Sequence, residues 1–500
     1  MDTINTRENK IIYRVSAMIA VFIALWGILA HRSFSIVADG LMAGLLNNFP
    51  WLYLWVMLLF VLFCFALVIT PWGSVKLGKD SEKPEYSAIS WFAMLFCAGM
   101  GIGLVFWGIA EPLAHYVTPM NGIEPASMES AHFSMRSVFM HWGFHPWACY
   151  AVIGLGLAYF GFRKDTPAMV SNLLTPIVGT GKFGKGFGIA VDIYTAVLTA
   201  VGVATSFGMG CLQISGGLNE LFGVPNTVWV WIVLITVICI CYLTSAITGV
   251  EKGIKFLSNF NLILFMALMV LSYLIGDTLA SFKMGAIGVV DYLKNFFADS
   301  VRLQSEGDST WIQNWRVFYW AWWLSWAPFV GSFIARISRG RTIREFVAGV
   351  IIVPTIVSIF WFGACGGLSL QAAADMPPEL IAEIAAVPET ALFRILAKFP
   401  MGAAVSIVAI VLLVTFFITS ADSATFVLSM MTSGGELNPP TSRKLFWGIL
   451  IAVLALALIM SGGIAMIQKI AIIIAFPYLF ILIMIGVSVV KSLIHEKKTP

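Results

Sequence analysis

The sequence predicts an all-α polytopic membrane protein with twelve transmembrane helices, and three observations lead there. Hydrophobic residues make up 59% of the 500 and charged residues only 11%, against roughly 25% charged in an ordinary soluble domain. Apolar stretches long enough to cross a hydrocarbon layer of about 30 Å as helices recur along the whole chain. None has the alternation of a membrane barrel, and in lipid a helix satisfies every backbone amide within itself.

The spans are expected at 12–30, 50–70, 88–108, 136–160, 187–215, 227–247, 254–275, 315–336, 346–370, 402–431, 444–461 and 468–490. The first follows a short charged tail with no small-residue cleavage site after it, so it reads as a retained helix and not as a signal peptide. With both termini on the inner side, roughly two-thirds of the Lys and Arg residues fall there, as the positive-inside bias requires. The strongest marker is the loop bearing Arg336, Arg339, Arg341 and Arg344, which reads as an inner-face anchor for lipid headgroups. Residues 282–303 mix Ile287, Val290, Leu293, Phe296 and Phe297 with Asp291, Lys294 and Asp299, a pattern suited to a helix in the membrane interface. Residues 371–399, with Asp375, Glu379, Glu383 and Glu389, read as an outer loop or short helix. The tails are too short to fold alone, so no terminal sensor domain is expected. The seven cysteines are odd in number and sit in apolar runs, where they serve packing and not disulfides or metal. A net charge of only +4 suggests no nucleic-acid partner.

Three segments carry chemistry. In the third span, Gly99-Met100-Gly101-Ile102-Gly103 alternates glycines more tightly than helix packing requires. It is expected to unwind and offer free carbonyls and amides at mid-membrane. The fourth span holds Trp142, Trp147 and Tyr150, and the eighth holds Trp320, Trp322, Trp323 and Trp326 followed by Phe329. At helical spacing Trp322, Trp326 and Phe329 form one stripe with Trp323 beside it, whereas Trp311, Trp315 and Trp320 suit the membrane interface. Indole faces attract a quaternary ammonium, which has no hydrogen to donate, by about 0.5–2 kcal/mol per ring. The aromatic stretches contain no Asp or Glu, as a cage working through ring faces alone would have it. In the tenth span Thr419 and Ser420 offer hydroxyls. These either bond back to their own helix or help ligate sodium, a hard cation that needs several neutral oxygens. Asp422 beside them is a candidate because intramembrane acids are expensive. His141 and His145 share a helix face, yet no acid accompanies them on that helix, so a metalloenzyme is not expected.

These residues resemble the betaine/choline/carnitine transporter family. The resemblance is carried by the tract from Tyr319 through Trp320, Trp322, Trp323, Ser325, Trp326, Pro328 and Phe329 to Arg336, Arg339 and Arg341. It extends to the glycine segment, to His141-Trp142-Gly143 and to Thr419-Ser420-Ala421-Asp422-Ser423, and covers most of the chain. It implies a LeuT-like core of two inverted five-helix repeats. The divisions are then 1–11, a cytoplasmic tail; 12–86, two peripheral helices; 87–276, the first repeat; 277–313, an interfacial helix and outer loop; 314–490, the second repeat; and 491–500, a cytoplasmic tail. It also implies a homotrimer in the bacterial inner membrane. Substrate would meet Trp142, Trp147, Tyr150, Trp322, Trp323 and Trp326, with Gly99, Met100, Gly101, Gly103 and Ser206 facing its carboxylate. Sodium would be held by carbonyls of Cys97, Met100 and Phe416 and the hydroxyls of Thr419 and Ser420. A second sodium site would draw on Thr199, Thr205 and Phe329, but the hydroxyl expected one turn after Thr199 is replaced by Val203. Proton-coupled choline carriers of the family have an acid where this chain has Gly103. The expectation is therefore a sodium-coupled symporter of a quaternary-ammonium zwitterion such as glycine betaine, without other cofactor. The alternatives are a sodium-independent carnitine exchanger or a choline carrier.

Overall fold

In the computed structural model, residues 6–99, 101–248, 251–303 and 310–496 are described, the side chains of 96–99 and 251–255 excepted. In chain order the helices are α1 (Arg7–Leu29), α2 (His31–Asn48), α3 (Pro50–Ile69), α4 (Ala88–Gly99), α5 (Ile102–Val117), α6 (Met128–Trp142) and α7 (Phe144–Ala158). They continue with α8 (Val170–Val178), α9 (Lys182–Phe222), α10 (Val228–Thr248), α11 (Glu251–Ile275), α12 (Thr278–Val301) and α13 (Phe318–Arg336). The last are α14 (Ile343–Ala374), α15 (Pro378–Ala385), α16 (Pro388–Leu396), α17 (Gly402–Met431), α18 (Thr441–Met460) and α19 (Gly463–Ile494). Among the described residues the only extended pairing is an isolated bridge between Lys76 and Thr342.

Among the described residues nine helices are long and apolar enough to cross a membrane: α1, α3, α9, α10, α11, α14, α17, α18 and α19. The other three expected spans are shaped differently. The stretch 88–108 falls on α4 and the start of α5, parted where Gly101 is fully extended (φ −162°, ψ −169°). The stretch 136–160 falls on α6 and α7, parted at Gly143 (φ −90°, ψ −129°). That second break is wedged by α12, because the Tyr292 hydroxyl accepts the freed Phe144 N–H at 3.1 Å. A Cβ on Gly143 would lie 2.4 Å from the Phe139 carbonyl and 2.7 Å from the Tyr292 hydroxyl, so only glycine fits there. The eighth expected span corresponds to the 19-residue α13, entered through a wide turn at Ile312–Val317.

Helix α12 buries Ser281, Gly285, Gly288, Tyr292, Phe296 and Asp299, a stripe at helical spacing. It is seated by Gly288 against Met135 and Phe139 of α6, and by Ser281 against Gly367 of α14. Val290, Leu293 and Phe297 stay exposed. Phe296 packs inward against Tyr292 (5.6 Å between ring centres). The 371–399 segment folds as α15 and α16. The latter presses on α9 so closely that a Cβ on Gly217 would lie 2.4 Å from the Phe393 ring. Helix α2 was not expected: only Phe34, Ala38 and Leu46 of it are buried, and Asp39, Gly40 and Asn47 dilute its apolar face. Trp311 and Trp320, expected at the interface, are 3% and 0% exposed. Trp320 stacks on His145 (4.7 Å, 20°) and Trp311 packs on His115 (5.0 Å), so both rings belong to a buried cluster.

Candidate functional site

The break at Gly101, the start of α7 and the length of α13 surround a cavity of about 210 Å³. Its wall contains Trp142, Trp147 and Tyr150 from the α6–α7 pair and Trp322, Trp323, Trp326 and Phe329 from α13. Gly101, Gly103 and Ser206 line it as well. Cys97, Gly99 and Met100 lie outside the residues whose surroundings are described.

Trp322 and Trp323 stack at 4.8 Å and 20°, while Trp142 meets Trp323 edge to face at 4.8 Å and 73° and Trp322 at 6.0 Å and 89°. Tyr150 stands at 86° to Trp323 (6.3 Å) and at 84° to Trp147 (5.5 Å). Four indole N–H groups are tethered: Trp142 to Glu111 Oε2 (2.8 Å), Trp322 to Ser206 Oγ (3.3 Å), Trp323 to the His141 carbonyl (2.9 Å) and Trp326 to the Gly202 carbonyl (2.9 Å). A tethered indole is held in one plane, so the ring faces are set before anything enters. No Asp or Glu occurs among the described lining residues.

Across the cavity lie Ser258, Asn261 and Phe265 from α11 and Phe416, Thr419, Ser420 and Ser423 from α17. The Thr419 hydroxyl donates within its own helix to the Thr415 and Phe416 carbonyls (3.1 and 3.2 Å) and accepts from Asn261 Nδ2 (3.1 Å). Sequence reasoning did not single out Asn261, since one amide in an apolar helix carries no pattern. The residues considered for a second ion are not brought together around the cavity. Phe329 lines it, whereas the Thr199 and Thr205 hydroxyls are buried and donate to the Thr195 and Gly202 carbonyls of α9 (2.7 and 2.6 Å). Asp422 is not among the lining residues, and its Oδ1 is buried without a hydrogen-bond partner.

Behind the cage sits a group the sequence pattern missed. Glu111 is fully buried on α5, and its Oε1 lies 2.6 Å from His141 Nδ1 and 3.3 Å from His115 Nε2. Its Oε2 takes Trp142 Nε1–H and also the Tyr319 hydroxyl. The helix was expected to end near 108, which left Glu111 outside the membrane-embedded acids; it runs on to Val117. Thus an acid does accompany His141, supplied by a different helix, while His145 turns to Ser300 (3.1 Å). Among the described residues Glu111, His115 and His141 are grouped closely enough to hold a metal ion. The fit is poor. The second ring nitrogens, His115 Nδ1 and His141 Nε2, have no partners, whereas metal-bound imidazoles are backed by one, and the Glu111 oxygens are already engaged.

The chain matches the family model described as betaine/carnitine/choline family transporter over residues 11–498. It is 44% identical to the glycine betaine transporter OpuD of Bacillus subtilis over 477 residues, covering 95% of this chain and 92% of that protein. It is 39% identical to the ectoine/hydroxyectoine transporter of Virgibacillus pantothenticus, covering 99% and 98%. To glycine betaine transporter 1 of Vibrio parahaemolyticus it is 38% identical, covering 97% and 94%.

Proposed function

The chain belongs to the betaine/carnitine/choline transporter family, and on that premise we propose that it carries a quaternary-ammonium zwitterion, glycine betaine foremost, by sodium-coupled symport. It is a multi-pass membrane transporter and not an enzyme.

One observation carries the choice of substrate: five tryptophans and Tyr150, from two parts of the chain, face one small cavity with no acidic side chain in its described wall. A methylated ammonium has no N–H for a carboxylate to grip, and its charge is spread over methyl groups, so ring faces are its natural partners. The substrate carboxylate then lies toward Gly101 and Gly103, at the start of α5, where the positive end of the helix dipole favours an anion. Ser206 adds a hydroxyl on that side. Sodium is assigned to the Phe416 carbonyl and the Thr419 and Ser420 hydroxyls, together with the carbonyls of Cys97 and Met100. Neutral oxygens suit a hard monovalent cation that must bind and leave. The Arg336–Arg344 side of α13 is read as cytoplasmic. The same reading gives twelve membrane crossings in the bacterial plasma membrane, both termini inside, two inverted repeats per protomer and a homotrimer.

Uptake of labelled glycine betaine, carnitine and choline into proteoliposomes, with and without an inward sodium gradient, tests the proposal. Betaine uptake is expected to rise at least about tenfold with the gradient. Trp323→Leu is expected to lose betaine binding while still eluting as a monodisperse species. Uptake indifferent to sodium but driven by preloaded substrate would replace symport by exchange, and retained affinity in Trp323→Leu would remove the cage.

A further inference from the structure

We propose that Glu111 is a positioning residue of the aromatic cage, holding Trp142 in plane and enriching its ring face through a hydrogen bond from an anionic acceptor. The inference rests on reading the cavity as a quaternary-ammonium site. Glu111 does not line the cavity and acts only through the indole. Trp142 Nε1–H is an obligate donor and meets Oε2 at 2.8 Å, beside the Tyr319 hydroxyl. On the other oxygen, His141 and His115 supply two more nitrogens. Their second ring nitrogens are buried and unpartnered. The tautomers that donate to Glu111 leave only bare lone pairs there, whereas the reverse tautomers would bury orphaned N–H groups. In the donating tautomers four donors meet the four acceptor positions of a carboxylate, which a protonated acid could not receive without losing one. Among the described residues Glu111 has no Lys or Arg ion-pair partner, so its charge is directed at these donors.

The consequence is electrostatic as well as geometric. An anion accepting the indole N–H pushes electron density into the ring, and a cation is attracted to the face in proportion to that density. The cage thereby gains from a carboxylate without exposing one to the substrate, whose own carboxylate a bare Glu in the wall would repel.

A double-mutant cycle on the purified full chain tests this, with labelled glycine betaine and equilibrium dialysis at fixed sodium. Glu111→Gln is expected to raise Kd about tenfold, one ring's share of the grip, with the number of sites per chain unchanged. In the Trp142→Phe background, where no N–H remains, the same change is expected to cost less than about twofold. Equal costs in both backgrounds, or no cost in either, overturn the inference. A wild-type chain that binds no betaine would instead sink the substrate reading. Should Glu111→Gln fail to elute as a monodisperse species, Tyr319→Phe replaces it. Removing the second donor on Oε2 is expected to move Kd about threefold while Trp142 is present and not in Trp142→Phe, and an unchanged Kd in both overturns the inference. A purely structural role would lower Tm or the number of sites and leave Kd alone.

Discussion

A methyl group at Gly103 would stand 2.5 Å from Trp322 Cη2 and 3.3 Å from Trp142 Cη2. Neither ring is free to retreat: Trp322 is tied to Ser206 and stacked between Phe318 (5.8 Å) and Trp323 (4.8 Å), and Trp142 is tied to Glu111. Gly103→Ala is therefore expected to tilt Trp322 and weaken betaine binding by at least about tenfold, with overpacking costing about 1–3 kcal/mol. Equilibrium binding on the purified variant measures it, and an unchanged Kd would mean that the rings yield freely. The hydroxyls divide in a testable way. Thr419 and Ser420 line the cavity, whereas Thr199 and Thr205 do not, although Thr419 donates within its own helix as they do. Sodium stimulation of uptake is expected to vanish in the Thr419→Ala, Ser420→Ala double variant and to survive in Thr199→Ala and Thr205→Ala. Loss of stimulation in Thr205→Ala would restore the second ion. The aromatic side chains were legible because tryptophans at helical spacing deep in an apolar segment have few other uses. Glu111 was not, because its partners come from three stretches of chain and a sequence does not display convergence.

At the scale of elements, the uninterrupted spans could be read from apolar length alone, while the helices that build the cavity depart from that rule. The break at Gly101 was foreshadowed by its glycines, but the one at Gly143 depends on Tyr292 arriving from α12, a contact between residues 148 apart in sequence. The end of α19 shows a similar long-range dependence. Glu496 accepts from Arg163 Nε (2.6 Å), Lys164 Nζ (2.8 Å) and the Tyr159 hydroxyl, and Arg163 also reaches Asp80 (2.8 Å). Burial raises the pKa of the Glu496 carboxyl, but the hydrogen bonds from Lys164, Tyr159 and Arg163 outweigh it and hold the group down at about 2. A depressed folded-state pKa means that the stabilisation is fully present above the unfolded value of about 4.3 and fades as the pH falls toward the folded value. Glu496→Gln is thus expected to lower Tm by a few degrees at neutral pH. That gap between variant and parent should shrink as the pH drops from about 4.3 toward about 2. Thermal unfolding in detergent at neutral pH and at about pH 3 checks this, and a gap that stays constant would remove the carboxylate from the account.

The molecule as a whole is asymmetric about the glycine break. Toward the end of α13 that leads into the arginine loop, the cavity wall continues through Val330 and Phe333 and across to Ser258 and Ser423. At the other end α16 is pressed onto Gly216 and Gly217 of α9, and the Trp107 ring packs against Trp315 and Tyr319 (5.6 and 6.1 Å). On the proposed placement of the arginine loop at the cytoplasmic side, we read this as a carrier open inward and shut outward. Alternating access requires that the same wall later face the other way, through rocking of one group of helices against another. Sodium and betaine bound together must then favour a closed intermediate over the open form, since ligands shift a population only by their differential affinity. Ser423 is placed to report this, being on α17 and at the open end. In Ser423→Cys, with the parent chain as the control for native cysteines, a membrane-impermeant maleimide is expected to react readily in inside-out vesicles and slowly in right-side-out ones. Sodium and betaine together should slow the inside reaction at least about threefold, as closure withdraws the thiol, while either alone does less. Labelling that is equal from both sides would make the cavity a pore, and labelling blind to sodium and betaine would detach the open form from transport.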